Sequence, residues 1–306
     1  MRVLVAGATG AIGTWLVPAL LRAGHQTTGL VRSGVAAEAL KRQGADAVLA
    51  DIFDQGAVER AVLQAHPEVI IDELTSIPKR LADFTAEART RDIELRLKGG
   101  GNLLRAARSA GVRRTLVQSS GYFLRPGQGL ADESEALAVD ASDMIAGAAR
   151  LYETIEARVL SAPNLEAVAL RYGFFYGPRT WYWPDGSAAE SVRQRQSPII
   201  GDGGAVWSFV HVEDAADATV AALAAPPGIY NVVDDDPTPV REYLPAFARW
   251  IGAPPPPHVS EQELLSRAGA EGPDLVYYGT RLRGASNAKA RKVLGFRPRR
   301  LVWMSS

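Results

Sequence analysis

The sequence predicts an α/β fold: a Rossmann-type doubly wound parallel sheet with a smaller C-terminal substrate lobe. Three observations predict it. Short apolar runs alternate with longer amphipathic stretches as far as Arg171, a glycine-rich turn follows the first run, and the rhythm loosens after about residue 175. A chain of 306 residues with 47% hydrophobic content can fill one large core and a lesser one.

The elements follow in order. Val3–Ala6 reads as a buried strand and Ile12–Ala23 as a helix, then Gln26–Val31, Ala47–Ala50, Val69–Asp72, Arg114–Gln118 and Ala167–Arg171 as strands. Helix-length segments lie between them at Val35–Gln43, Gly56–Ala65, Thr85–Ala110 and Asp143–Ser161. Apolar strands with helical crossovers imply a parallel sheet covered on both faces. The expected division is a nucleotide-binding domain over 1–175, joined by some later segments, and a lobe drawn mainly from 176–306. "APPPPH" at 253–258 is a stiff connector rather than a flexible linker.

Composition narrows the partners. Lys+Arg and Asp+Glu are both 34, so nothing favours nucleic acid or an anionic membrane. There is no cysteine, which excludes disulfides, thiolate metal sites and a cysteine nucleophile. No His/Asp/Glu spacing suggests a metal site, and no nucleophile elbow suggests a hydrolase. The chain opens on a strand-like "MRVLVAG" without a signal-peptide pattern, and no apolar run is long enough to span a bilayer. The expectation is a cytoplasmic protein acting on a small molecule.

"VLVAGATGAIG" sets Gly7, Gly10 and Gly13 between the first strand and first helix. Glycines there permit a tight turn and close backbone approach to a pyrophosphate, and the helix N-terminus supplies free N–H groups. The G-x-x-G-x-x-G spacing resembles the short-chain dehydrogenase/reductase superfamily in its extended, epimerase/dehydratase-like branch. "ADIFD" (50–54), "LRYGFFYGP" (170–178), "FVHVEDAADATVAAL" (209–223) and "SNAKARKVLGF" (286–296) extend the resemblance along nearly the whole chain. It implies a cofactor site of Gly7, Thr9, Gly10, Ala11, Ile12 and Gly13 at the pyrophosphate. Asp51 and Ile52 would meet the adenine, and Tyr172, Gly173, Phe174 and Phe175 would lie beside the nicotinamide. It also implies a homodimer through two long helices, one of them 143–161.

The second strand ends "TTGLVRS", where a carboxylate would hold the ribose of NAD. Arg32 and Ser33 stand there instead and suit a 2′-phosphate, which favours NADP(H) over NAD(H). The alternative is that Arg32 is only a solvated surface charge.

Redox members of this superfamily use Ser, Tyr-x-x-x-Lys and Asn. Aligned on "VQSSGYF" (117–123), Ser120 matches the serine, whereas the Tyr, Lys and Asn positions fall on Ile145, Ala149 and Arg96. Tyr152 lies beside an apolar stripe of Met144, Ala148, Leu151, Ile155 and Val159. Its partner four residues on is Glu156, a carboxylate that would raise the phenol pKa. Tyr152 therefore reads as a core-edge aromatic. Tyr122 with Ser120 is the expected proton-donating pair, unless Tyr122 only lines the pocket.

On the substrate side, Tyr176, Trp181, Tyr182, Trp183 and Trp207, with Tyr277 and Tyr278 nearby, suggest an aromatic-walled pocket, although the same rings could simply pack the lobe. His211 lies in the same region and reads as structural. The sequence supports an NADPH-dependent reductase of an aromatic or apolar ketone, enone or imine. Non-redox dehydration, isomerisation or cyclisation is a rival, as is a nucleotide-binding sensor without turnover.

Overall fold

A computed structural model describes residues 1–305. The first half alternates strand and helix: β1 (Arg2–Ala6), α1 (Gly13–Arg22), β2 (Gln26–Val31), α2 (Gly34–Arg42), β3 (Asp46–Leu49), α3 (Gln55–Ala65) and β4 (Val69–Asp72). Then come α4 (Ala86–Glu94), α5 (Gly100–Ser109), β5 (Arg114–Ser120), α6 (Asp143–Leu160), β6 (Glu166–Tyr172) and β7 (Phe174–Tyr176). The rest comprises α7 (Ser187–Arg193), β8 (Ile199–Ile200), β9 (Val206–Trp207), β10 (Phe209–His211), α8 (Val212–Ala222), β11 (Gly228–Val232), β12 (Thr238–Pro239), α9 (Val240–Trp250), β13 (His258–Val259), α10 (Glu261–Arg267), α11 (Gly272–Thr280) and α12 (Ala288–Leu294).

Local chemistry sets many of these boundaries. Ser33, Asp54, Thr85 and Ser260 each accept a hydrogen bond from a backbone amide in the first turn of α2, α3, α4 and α10. His66 ends α3 in the left-handed region at φ 43°. One expectation needs adjustment. The helix foreseen over Thr85–Ala110 is not uniform: a π-helical turn, Leu95–Gly99, separates α4 from α5.

Seven parallel strands form the central sheet in the order β11-β6-β5-β4-β1-β2-β3. Strand order reverses between β1 and β4, which opens a crevice beyond their carboxyl ends. One face is covered by α3 and α5, which bury Val58, Val62, Leu103 and Ala107. The other is covered by α1 and α8, which bury Leu16, Leu20, Ala215 and Ala222. Each leucine buried this way stabilises the fold by roughly 1.5–3 kcal/mol. Residues well beyond 175 thus complete the sheet, through β11, and its covering, through α8. The exposed edge of β11 is partly shielded by α12, whose Lys289 donates to the Ile229 carbonyl at 2.7 Å.

The remaining C-terminal segments fold over the carboxyl ends of the strands as three small two-stranded sheets, β7·β10, β9·β12 and β8·β13, packed with α9 and α11. Their apolar core is continuous with the inner face of α6 through Ile145, Ala149, Tyr152, Phe209 and Phe247. Among the described residues no helix is long and apolar enough to cross a membrane.

Candidate active site

The glycine turn meets the backbone demand the sequence implies. Gly7 takes φ +87°, and a Cβ there would lie 2.4 Å from the Glu73 carbonyl oxygen. A Cβ on Gly13 would lie 2.2 Å from the Gly7 carbonyl oxygen. No side chain fits at either place, so the turn presses against β4 and delivers the first amides of α1 to the crevice. A helix start offers such amides to an anion. Thr9 and Ala11 are exposed on the turn, while Ile12 is buried beneath it. At the tip of β2, Arg32 is exposed. Ser33 accepts from the Ala36 amide at 3.3 Å, and its own O–H is left to donate. Asp51 is exposed and accepts from the Phe53 amide at 3.0 Å, and the Ile52 carbonyl takes an Asn102 amide hydrogen at 2.8 Å. Gly7, Arg32 and Asp51 follow the ends of β1, β2 and β3, which are neighbours in the sheet.

Beneath the turn lies a buried polar chain that the sequence did not signal. Glu73, 3% exposed, stands 3.0 Å from the Tyr172 hydroxyl, which in turn is 2.6 Å from the Thr219 hydroxyl. Burial pushes the Glu73 carboxyl up to about 8, and the nearby Asp72 carboxylate adds to the shift against the opposing Tyr172 hydrogen bond. The Tyr172 hydroxyl points toward α8, which carries Thr219. Gly173 is buried against the Ser208 carbonyl, and Phe175 packs on Tyr172 with ring centroids 5.4 Å apart. Of that segment, Phe174 reaches the aromatic crevice.

The Glu156 carboxylate forms a bidentate pair with Arg171, Nε to Oε1 and Nη2 to Oε2, each at 2.7 Å, and Ser119 Oγ donates to Oε1 at 2.6 Å. Ser119 and Arg171 are cross-strand partners on β5 and β6, so this cluster ties α6 to the sheet. Glu156 is therefore not the influence on Tyr152 that helical spacing implies. The Tyr152 phenol is raised mainly by burial, with the Arg96 charge opposing and Asp92 reinforcing the shift. Ile145 and Ala149 on the same helix are fully buried.

Arg96 gains a place here that its sequence position does not convey. It sits in the π-helical turn, 4% exposed, with Nε donating to Asp92 Oδ2 at 2.7 Å. Its guanidinium carbon lies 5.3 Å from the Tyr152 ring centroid. Burial opposes its charge, but the Tyr152 and Tyr122 phenols and Asp92 outweigh burial, so it stays protonated. Arg158 on α6 donates to the Leu97 carbonyl at 2.7 Å and the Arg96 carbonyl at 3.2 Å. A π turn interrupts the regular carbonyl pairing of a helix, and Arg158 satisfies two of the carbonyls concerned. The only advance signal was Arg96 at the position expected to hold Asn.

The crevice wall is a stack of rings. Tyr122 stacks on Phe174 at 3.9 Å between centroids, and Phe174 stacks on Trp207 at 4.1 Å. Tyr182 and Tyr278 meet this stack edge-on or tilted. Tyr122 also approaches Ser120, whose Oγ accepts from the Tyr122 amide at 3.5 Å. Burial and the Tyr152 and Tyr278 phenols push Tyr122 well above the ordinary 10, against the opposing Arg96 charge and a Ser120 hydrogen bond. Burial likewise raises Tyr182 and Tyr278.

The other expected pocket residues lie apart from this stack. Trp181 donates its indole N–H to the Pro78 carbonyl and packs edge-on with Phe84, joining the loop before α4. Tyr176 is fully buried against His211 and Trp303, and Trp183 packs against Trp250. His211 caps α8, its Nδ1 accepting from the Glu213 amide at 3.2 Å, and burial lowers its pKa.

Comparison with known proteins agrees with this architecture. Residues 3–232 match the profile of the NAD dependent epimerase/dehydratase family. The chain is 40% identical to a 3-diazoavenalumate denitrifying reductase from a Streptomyces species, over 99% of this chain and 98% of that one. It is 30% identical to a UDP-glucose 4-epimerase of Mycolicibacterium smegmatis, over 97% and 94%. The UDP-glucose 4-epimerase of Thermus thermophilus, solved with NAD, superposes with a TM-score of 0.73 at 27% identity, covering 99% of this chain and 96% of that one.

Proposed function

The chain belongs to the NAD dependent epimerase/dehydratase family and is an NAD(P)-dependent enzyme, and from that premise we propose that it is an NADPH-dependent reductase which replaces the diazo group of a small aromatic substrate with hydrogen. The observation that carries this reading is the character of the crevice. Its wall is the Tyr122–Phe174–Trp207 stack, and the phenols around it are raised rather than lowered in pKa.

Those phenols are poor partners for chemistry that needs a ready proton donor or base. No tyrosine in the chain is followed four residues later by lysine. An aryl diazonium acceptor needs neither. The ring carbon gains a hydride, the C–N bond breaks with its electron pair leaving on dinitrogen, and the products are arene and N2. No proton is taken up, and the reductant becomes NADP+. The reductase relative, whose name specifies a diazo substrate, supports this choice.

The chain's own residues would bind and orient. Gly7, Thr9, Gly10, Ala11, Ile12 and Gly13 would hold the pyrophosphate, Arg32 and Ser33 the 2′-phosphate, and Asp51 and Ile52 the adenine end. Phe174 would flank the nicotinamide, which when bound supplies the hydride. The aromatic stack would hold the substrate ring flat and keep water from the carbon that accepts the hydride.

The test uses an aryl diazonium salt and NADPH deuterated on the transferring face. Deuterium at the former diazo carbon, with N2 released in step with NADPH consumed, is the expected result. Diazo loss no faster than without protein would overturn the reading.

The contact between Ser120 and Tyr122 favours a second reading, reduction of an aromatic or apolar ketone, enone or imine. There the carbon takes the hydride and Tyr122 gives its proton to the developing anion.

A further inference from the structure

We infer that Arg96 is a specificity-determining residue that recognises an oxyanion on the substrate, a carboxylate or phenolate carried by the aromatic ring system. The inference rests on the proposed reduction of an aromatic substrate and names the chemical class of that substrate more closely.

Three features of the fold carry it. First, Arg96 is 4% exposed, and its Nη2 amino group has no hydrogen-bond partner among the described residues. A buried guanidinium donor left unpaired is costly, and such a group calls for a ligand atom. Second, the placement is built. The π turn changes the helical phase between α4 and α5, Arg158 holds its Leu97 and Arg96 carbonyls, and Asp92 fixes the Arg96 Nε. Asp92 is itself held, its Oδ1 accepting from the Ser76 amide. Third, the guanidinium neighbours the aromatic stack. The guanidinium lies over Tyr152 and is electrostatically coupled to Tyr122, whose half-buried ring belongs to the aromatic stack.

Asp92 binds Arg96 through Nε, and the buried Asp72 and Glu73 carboxyls also lie within electrostatic reach of the guanidinium without bonding to Nη2. An aryl ring lying along Tyr122 and Phe174 would bring a carboxylate or phenolate oxygen toward the unpaired Nη2. A neutral ester or amide would gain one ordinary hydrogen bond there instead of a charge-assisted one.

The experiment compares 4-carboxybenzenediazonium with its methyl ester under NADPH, in wild type, R96M and R96K. Wild type should prefer the carboxylate in kcat/KM by roughly 10- to 100-fold, the range for a charge-assisted hydrogen bond. R96M should lose that preference, its kcat/KM falling further for the acid than for the ester. R96K retains the charge and tests the planar fork should R96M not fold; it should keep only part of the preference. A preference unchanged in both variants, or equal losses on acid and ester, would overturn the inference. A second arm stands apart from turnover. Calorimetric binding of cinnamate and cinnamamide to the NADP+-loaded protein should favour cinnamate in wild type and neither ligand in R96M. If no diazonium is reduced but this difference appears, the proposed reaction fails and the anion site stands. Equal binding of the two probes by wild type would sink the site whatever the reaction.

Discussion

Glu156 and Arg171 face each other as a buried bidentate pair, both arms at 2.7 Å, and together they anchor helix α6 to strand β6. The pair explains why the carboxylate one turn beyond Tyr152 leaves that phenol alone. Its charge is already taken by Arg171 and by the Ser119 hydroxyl. Removing one member leaves the other charge buried without a partner, which typically costs about 3–5 kcal/mol. Glu156→Ala should therefore show a large loss of stability in urea unfolding, and Glu156→Gln a smaller one. Both proteins, where folded, should keep the carboxylate-over-ester preference. A stability change under about 0.5 kcal/mol for Glu156→Ala would mean that the pair is not holding the helix.

Cofactor choice rests on the tip of β2. Arg32 is exposed, and Ser33 can still donate although it accepts the α2 capping bond. A guanidinium on a phosphate is worth on the order of 1.5–3 kcal/mol, or roughly 10- to 100-fold in affinity. Arg32→Asp should weaken NADPH binding by about that factor and improve NADH binding, since the new carboxylate can accept from both ribose hydroxyls while repelling a 2′-phosphate. Fluorescence titration of the two reduced cofactors gives the answer. Tighter NADH than NADPH binding in the wild type would end the NADPH assignment.

Much of this molecule was legible because regular structure leaves periodic marks. Gln26–Val31 and Val69–Asp72 have the bounds read from their apolar runs, and Gly7 adopts a backbone only glycine accepts readily. The site was less legible because its parts meet across the fold. Arg96 gains meaning only through a π turn, which composition does not announce, and through Arg158, which lies 62 residues away. Glu73 looks like the tail of an apolar strand until Tyr172 and Thr219 close around it. Tyr176, Tyr182 and Trp183 are close in sequence but part in space: Tyr176 on β7 is fully buried, Trp183 packs on Trp250, and Tyr182 meets the stack.

The two candidate phenols separate the proposed reactions. Tyr122 touches the stack and Ser120, whereas Tyr152 is buried behind it beneath Arg96. If hydride replaces a diazo group, Tyr122→Phe should retain most activity on a diazonium substrate, within about threefold, because no proton is delivered. The same variant should lose roughly 100-fold or more on a ketone if Tyr122 is the acid there, in line with the usual contribution of general acid catalysis. Tyr152→Phe should leave both reactions near wild type. Steady-state kinetics on the matched substrates decides, and a Tyr152→Phe collapse with Tyr122→Phe intact would reverse the roles given to them.

Proton counting makes Glu73 a pH-dependent element of stability. Thr219 donates its hydroxyl hydrogen to the Ala215 carbonyl at 2.7 Å, so it can only accept from Tyr172. Tyr172 has one hydrogen, and Glu73 is its other neighbour. An ionised Glu73 must take that hydrogen from Tyr172 and leave the Thr219 contact without one. A protonated Glu73 donates to Tyr172 instead, and every hydroxyl hydrogen in the chain then has an acceptor. This agrees with a carboxyl raised from 4.5 to about 8 in the fold. The sign follows by linkage. Below pH 4.5 both folded and unfolded forms hold the proton and nothing is lost. As pH rises toward about 8 the unfolded chain releases it first, so stability falls, by on the order of 2–5 kcal/mol across the window, and then levels off. Glu73→Gln removes the titration while keeping the shape. Its melting temperature should exceed that of wild type at pH 8.5, and the gap should close toward pH 5. Parallel melting curves for the two proteins across that range would show that Glu73 does not carry a buried proton.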